Sequence, residues 1–143
     1  MDILKNTIDY GIMGLLVFMS LGSAAIIFER ILFFKKIIPS DYGDKTILEL
    51  DLTSKLYLLA AIGSNAPYIG LLGTVLGIIL TFYTIGNTGM MDSGQIMIAL
   101  ALTMKVTAAG LIVAIPSLFV YNILIRKVRV ILTRWEAING RTR

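Results

Sequence analysis

Polar and apolar positions divide the chain into three long apolar runs, residues 10–34, 66–86 and 96–124, separated by shorter polar stretches. Each run is long enough to cross a hydrocarbon core of about 30 Å as a helix. Each is therefore predicted to be a transmembrane helix. The middle run, which reads APYIGLLGTVLGIILTFYTI from 66 to 85, carries the most information. On a helix of about 3.6 residues per turn, Gly70, Thr74, Gly77, Thr81 and Thr84 fall on one side, and Leu, Ile and Val fill most of the remainder. Lipid tails offer such a stripe nothing to bind, whereas a closely packed helix or a polar passage does. This run is expected to face protein or a pore.

The third run repeats the pattern with Thr103, Thr107, Gly110, Ala114, Ser117 and Tyr121 at three- and four-residue spacing. Taken singly, small residues serve close packing, and a threonine hydroxyl can bond the carbonyl four residues back in its own helix. Two parallel stripes on consecutive spans also suit a narrow passage lined by hydroxyls. A single three-helix chain cannot enclose such a passage, but a ring of identical subunits, each supplying two lining helices, can. Thr74, Thr107, Thr103 and Thr81 are the candidate lining residues of a proton pathway. Gly70, Gly73, Gly77, Gly110, Pro67 and Pro116 are the candidates for close helix packing.

The connections orient the spans. Residues 1–9 form a short polar segment expected outside, without the basic start and small-residue cleavage pattern of a signal peptide. Residues 35–65 form a short connection that opens on Lys35 and Lys36 and then carries Asp41, Asp44, Glu49 and Asp51. Within it, the alternation around Leu48, Leu50 and Leu52 permits a strand, while Leu52, Leu56 and Leu59 share one face of a helix. A short helix is the preferred reading. Proline suits the first turn of a helix, so Pro67 places the start of the second span at 66–67 and leaves 57–64 as an interfacial segment. Residues 87–95 contain no Lys or Arg, whereas 125–143 form a basic, amphipathic tail. Of the 13 Lys and Arg residues, eleven fall on the side expected in the cytoplasm, ten in the segments 35–65 and 125–143 and Arg30 at the inner end of the first span, which places the N-terminus out and the C-terminus in.

Composition narrows the function. A chain that is 57% hydrophobic over 143 residues, patterned in this way, is an integral membrane protein of the all-α class. With no cysteine and no histidine, thiolate catalysis, histidine general-base catalysis and the usual zinc ligand sets are excluded. No catalytic residue, metal or cofactor is expected, and the chain does not read as an enzyme. The net charge of +4 sits beside apolar runs, and so reports orientation and not nucleic-acid binding. No Asp or Glu lies within 66–86 or 96–124, so a proton-carrying carboxylate is expected from another chain. Glu29 and Arg30, at the inner end of the first span, are expected to form an interfacial charge pair. Lys105 is the one charge well inside a span. It lies two positions from both Thr103 and Thr107, about 160° around the helix, so it does not share their face. A lipid phosphate or a carboxylate of a neighbouring chain is its expected partner.

APYIGLLGTVLGI at 66–78 and TAAGLIVAIPSLFVYN at 107–122, in that order on the second and third spans, resemble the ExbB/TolQ proteins, relatives of the flagellar stator subunit MotA. The Glu29-Arg30 pair after a first span also fits; only about 39–56 falls outside the resemblance. It implies a three-span subunit of the bacterial inner membrane that forms a ring, typically a pentamer, around a single-span ExbD-like or TolR-like partner. That partner carries a membrane aspartate, and the complex uses the proton-motive force to energise a TonB-like or TolA-like protein. By motif match, Thr74 and Thr107 take the family's pore-lining threonine positions. The family commonly has a glutamate five residues before the second of these; here Leu102 stands there, with Lys105 one turn later on the same face. The compact length suits an ExbB-like role in TonB-dependent transport over a TolQ-like one. A structural scaffold for a single-span partner is the alternative of a different class.

Overall fold

The computed structural model describes residues 2–89 and 92–140. Within them the chain is helical almost throughout: α1 (Asp2–Lys36), α2 (Lys45–Thr53), α3 (Leu56–Thr88) and α4 (Ser93–Gly140), with one 3-10 turn at Pro39–Asp41. Three of these, α1, α3 and α4, are long and apolar enough to cross a membrane. Met1, Met90, Met91 and the last three positions of the expected basic tail lie outside the described residues.

α3 and α4 run antiparallel and pack along their length, α1 lies across both, and α2 lies against α4 at one end of the bundle. α2 is a helix and not a strand because Asp44 caps it, accepting a hydrogen bond from the Thr46 N–H at 2.8 Å, and because Leu48 and Leu52, one turn apart, are both fully buried. These leucines join Leu56, Leu59, Leu124, Val128 and Leu132 in an apolar cluster at the α2 end. Trp135 Nε1 donates to the Tyr42 carbonyl at 3.1 Å, and Lys45 meets Glu136 at 2.9 Å, fastening the connection to α4. Tyr42 in turn donates its hydroxyl to Asp51 at 2.6 Å, and that bond to a carboxylate holds the phenol above its ordinary range.

Three helices extend beyond the expected spans. The second does not start at Pro67: α3 starts at Leu56 and carries Pro67 in its interior, so 57–64 is the first part of the same helix. An interior proline removes one backbone bond and costs about 3 kcal/mol. Gly63, Ala66 and Gly70 are all buried against α4, and this contact on both sides of the proline keeps the helix in line. α4 likewise runs through Pro116 and on to Gly140, so the tail continues the third span over 48 residues, roughly 72 Å at about 1.5 Å per residue. α1 begins at Asp2, so Lys5 and Asp9 of the polar segment 1–9 are helical. At the far end, Gly89 adopts φ +64 and returns its N–H to the Ile85 carbonyl at 2.9 Å, a left-handed stop that glycine accommodates without strain.

Large apolar side chains point outward along the three long helices: Phe18, Ile112 and Phe119 are exposed by 74%, 71% and 66%. In water that surface would drive aggregation; against lipid or neighbouring subunits it is the expected exterior of a membrane helix.

Candidate functional site

The site lies where α3 and α4 cross. Glycine makes the crossing close: a Cβ on Gly110 would sit 2.6 Å from the Ala66 carbonyl oxygen, and one on Gly70 would sit 2.8 Å from that of Val106. One turn outward, a Cβ on Gly73 would meet Val106 Cγ1 at 2.6 Å and Ile12 of α1 at 3.1 Å, and one on Gly77 would overlap the methyl group of Thr103. Gly70 and Gly110 bring backbone against backbone, while Gly73 and Gly77 make room for the side chains of Val106, Ile12 and Thr103, as small residues do between membrane helices.

That approach brings Thr74 and Thr107 together. Their hydroxyls are hydrogen-bonded to each other, and Thr74 Oγ1 also donates to the Thr103 carbonyl at 3.0 Å. A consistent proton order runs from Thr107 to Thr74 to the carbonyl oxygen, since each hydroxyl donates once and can accept twice. Both side chains are only half-buried, so an edge of the pair remains open at the surface of the subunit. Thr103 is nearly fully buried and turns its own hydroxyl to the Leu100 carbonyl at 2.7 Å. Thr81 is buried too and bonds the Gly77 carbonyl at 2.8 Å, and Thr84 bonds that of Leu80 at 2.8 Å. Of the four candidate lining threonines, Thr74 and Thr107 meet across the helices, and Thr103 and Thr81 close on their own helix.

Lys105 is exposed on α4 and pairs with no described carboxylate; Leu102 is exposed as well. Pro67 is half-buried near the crossing, whereas Pro116 faces outward. At the other end of the bundle Arg30 is 4% exposed: one terminal nitrogen donates to the Asp51 carbonyl at 2.9 Å and the other to Glu29 at 2.8 Å, while its guanidinium carbon lies 4.4 Å from the Phe33 ring centroid. Lys55 approaches the second Glu29 oxygen at 3.1 Å as an ion pair, without hydrogen-bond geometry. Lys55 itself holds φ +66 between α2 and α3.

Two polar residues escaped the sequence reading. Ser23 of α1 shares a buried 2.7 Å hydrogen bond with Ser117 of α4. Its signal was there: Ile12, Leu16, Met19 and Ser23 follow four- and three-residue steps along one face of α1. Asp9 lies three residues before Ile12, which reaches Gly73, and carries one buried carboxylate oxygen with no hydrogen-bond partner. Among the described residues no cluster of metal-ligating side chains occurs.

Residues 41–137 match the family model described as the MotA/TolQ/ExbB proton channel family. The match takes in α2, part of the stretch outside the two quoted motifs, and stops short of α1. Over 140 residues, 98% of this chain, the sequence is 54% identical to "Biopolymer transport protein ExbB" of Aquifex aeolicus, of which 95% is covered. It is 50% identical over 133 residues to "Putative biopolymer transport protein ExbB-like 2" of Helicobacter pylori, covering 93% of this chain and 89% of that one. A second Helicobacter pylori protein, "Biopolymer transport protein ExbB", is 46% identical over 127 residues, with 89% and 88% covered.

Proposed function

The chain belongs to the MotA/TolQ/ExbB proton channel family, and from that premise we propose that it is the ring-forming, ExbB-like subunit of an inner-membrane motor. With a single-span, ExbD-like partner it would couple the proton-motive force to a TonB-like protein and so to transport across the outer membrane. The N-terminus lies outside the inner membrane and the C-terminus in the cytoplasm, in keeping with the basic residues at the α2 end of the bundle. Five copies, each presenting the α3–α4 face, would surround the partner helices.

The observation that carries this reading is the Thr74–Thr107 hydroxyl pair, half-open at the subunit surface and set in two spans that hold no carboxylate. A hydroxyl passes a hydrogen bond on but does not hold a proton near neutral pH. The titrating group therefore comes from the enclosed partner, and this chain's part is to orient it, exclude lipid and supply hydroxyls along its path. Lys105, on another face of α4, would contact lipid or a neighbouring carboxylate.

Purified with and without the single-span partner and reconstituted in liposomes, the chain is expected to conduct protons only in the complex. Thr74→Val and Thr107→Val preserve shape and remove the hydroxyls, and each is expected to reduce flux by about tenfold or more, the effect of losing one hydrogen bond to the moving proton. Strong flux from this chain alone would sink the claim that the carboxylate arrives in trans. A second reading, a packing scaffold for a single-span protein, draws on the fact that the two hydroxyls already satisfy each other. Normal flux in both valine variants would favour it.

A further inference from the structure

A groove of about 540 Å³ runs between the end of α1 and α4, away from the α3–α4 crossing. Before the cations its wall is apolar, lined by Ile31 and Phe34 of α1 and Ile123 of α4, and Val130 and Ile131 line it one turn past Arg126 and Lys127; Ile31, Ile123 and Val130 are exposed by 39%, 43% and 36%. Lys35, Arg126, Lys127 and Arg134 also line it, all exposed and with no carboxylate among the lining residues. None of the four takes part in an ion pair among the described residues, although Glu29 and Glu136, at the same end of the molecule, are both paired.

α1 and α4 run in the same direction, since Ser23 meets Ser117 and, further along both helices, Lys35 lines the same groove as Arg126 and Lys127, and both change from apolar to cationic at matching depth. On α1 the step is from Ile31 to Lys35; on α4 it is from Ile123 to Arg126 and Lys127. Each step takes about one helical turn, so the groove straddles a single boundary between hydrocarbon and headgroup. A protein partner would have to bring both an apolar ridge and a cluster of acids in that register. A phospholipid has that build: an acyl chain for the apolar wall and a phosphate for the cations.

We infer that this groove is a binding site for an anionic phospholipid, its phosphate held by Arg126, Lys127 and Lys35 and one acyl chain lying along Ile31, Phe34 and Ile123. The assignment to the cytoplasmic leaflet rests on the orientation proposed above. The site itself is independent of proton conduction, and a failure of the channel reading would leave it standing.

The test is native mass spectrometry of the full chain in detergent after exposure to vesicles containing equal amounts of phosphatidylglycerol and phosphatidylcholine. Phosphatidylglycerol is expected to be retained selectively. Arg126→Gln with Lys127→Gln should weaken its retention by about fivefold for each cation removed, roughly 25-fold for the pair. Arg129→Gln, which removes a nearby charge that does not line the groove, should change it by no more than about twofold. Ile31→Trp fills the apolar wall with every charge intact and should also displace the lipid, which separates the site from general basicity; helix content by circular dichroism checks each variant. Equal retention of the two lipids, or equal losses in the paired glutamine variant and Arg129→Gln, would overturn the inference. So would competition by inorganic phosphate, which would make the cations a free-anion site. The chain has no cysteine, so Ile123→Cys introduces a single thiol, and its efficient disulfide trapping between copies would give the groove to a second subunit and equally overturn the proposal.

Discussion

Arg30 and Glu29 stand side by side in the chain, yet their surroundings give them unequal weight. Arg30 is nearly enclosed and ties α1 to the carbonyl end of α2, while Glu29 is 42% exposed and can exchange its partners for water. Arg30→Gln is therefore expected to destabilise the detergent-solubilised protein by about 2 kcal/mol, the range of a hydrogen bond from a charged group, and Glu29→Gln by about 1 kcal/mol at most. Thermal melts of the two variants should differ accordingly; equal melts would mean that Arg30 contributes only through Glu29. The glycines divide in the same way. A methyl group on Gly110 runs into the Ala66 carbonyl, and backbone on both sides has no room to yield, whereas a methyl on Gly11 meets nothing within 4 Å. Gly110→Ala should cost about 1–3 kcal/mol and Gly11→Ala nothing measurable in the same melts.

At the scale of elements, α3 and α4 are held by close backbone approach, while α1 is held more lightly, through Ile12, Leu16 and the Ser23–Ser117 bond. Inside a membrane a hydroxyl pair of this kind contributes about 0.6 kcal/mol, because each hydroxyl freed from the other can bond its own helix. Ser117 already has that second partner in the Val113 carbonyl at 2.7 Å. A double-mutant cycle of Ser23→Ala and Ser117→Ala should give a coupling of about 0.6 kcal/mol, and additive effects would remove the bond as a link between α1 and α4. Pro67 and Pro116 also act at this scale. Each reads locally as a place to start or bend a helix, and tertiary packing carries the helix through both.

For the whole molecule, the apolar exterior and the single exposed intramembrane charge decide how it meets its surroundings. Lys105 pairs with no carboxylate among the described residues, so a neutralising group is expected from outside them. If the motor reading proposed above holds, Lys105→Met should leave the ring intact by size-exclusion chromatography while weakening partner coupling, read as lower proton flux from the reconstituted complex. Unchanged flux would reduce Lys105 to a side chain that reaches the lipid interface.

Much of this was legible in the order of residues. A hydrocarbon core sets a length that only three runs meet, so the spans are written in hydropathy alone, and 3.6-residue periodicity placed Gly70, Thr74 and Gly77 on one face and Thr103, Thr107 and Gly110 on another. Periodicity assigns residues to a face but does not say how far two faces slide past each other. The tertiary structure decided that Thr74 meets Thr107 while Thr103 and Thr81 turn back to their own helices, because a register between helices depends on which glycines allow the backbones to touch. It decided equally that α3 passes through Pro67, since the energy that carries a helix past a proline comes from its neighbour and is absent from local sequence.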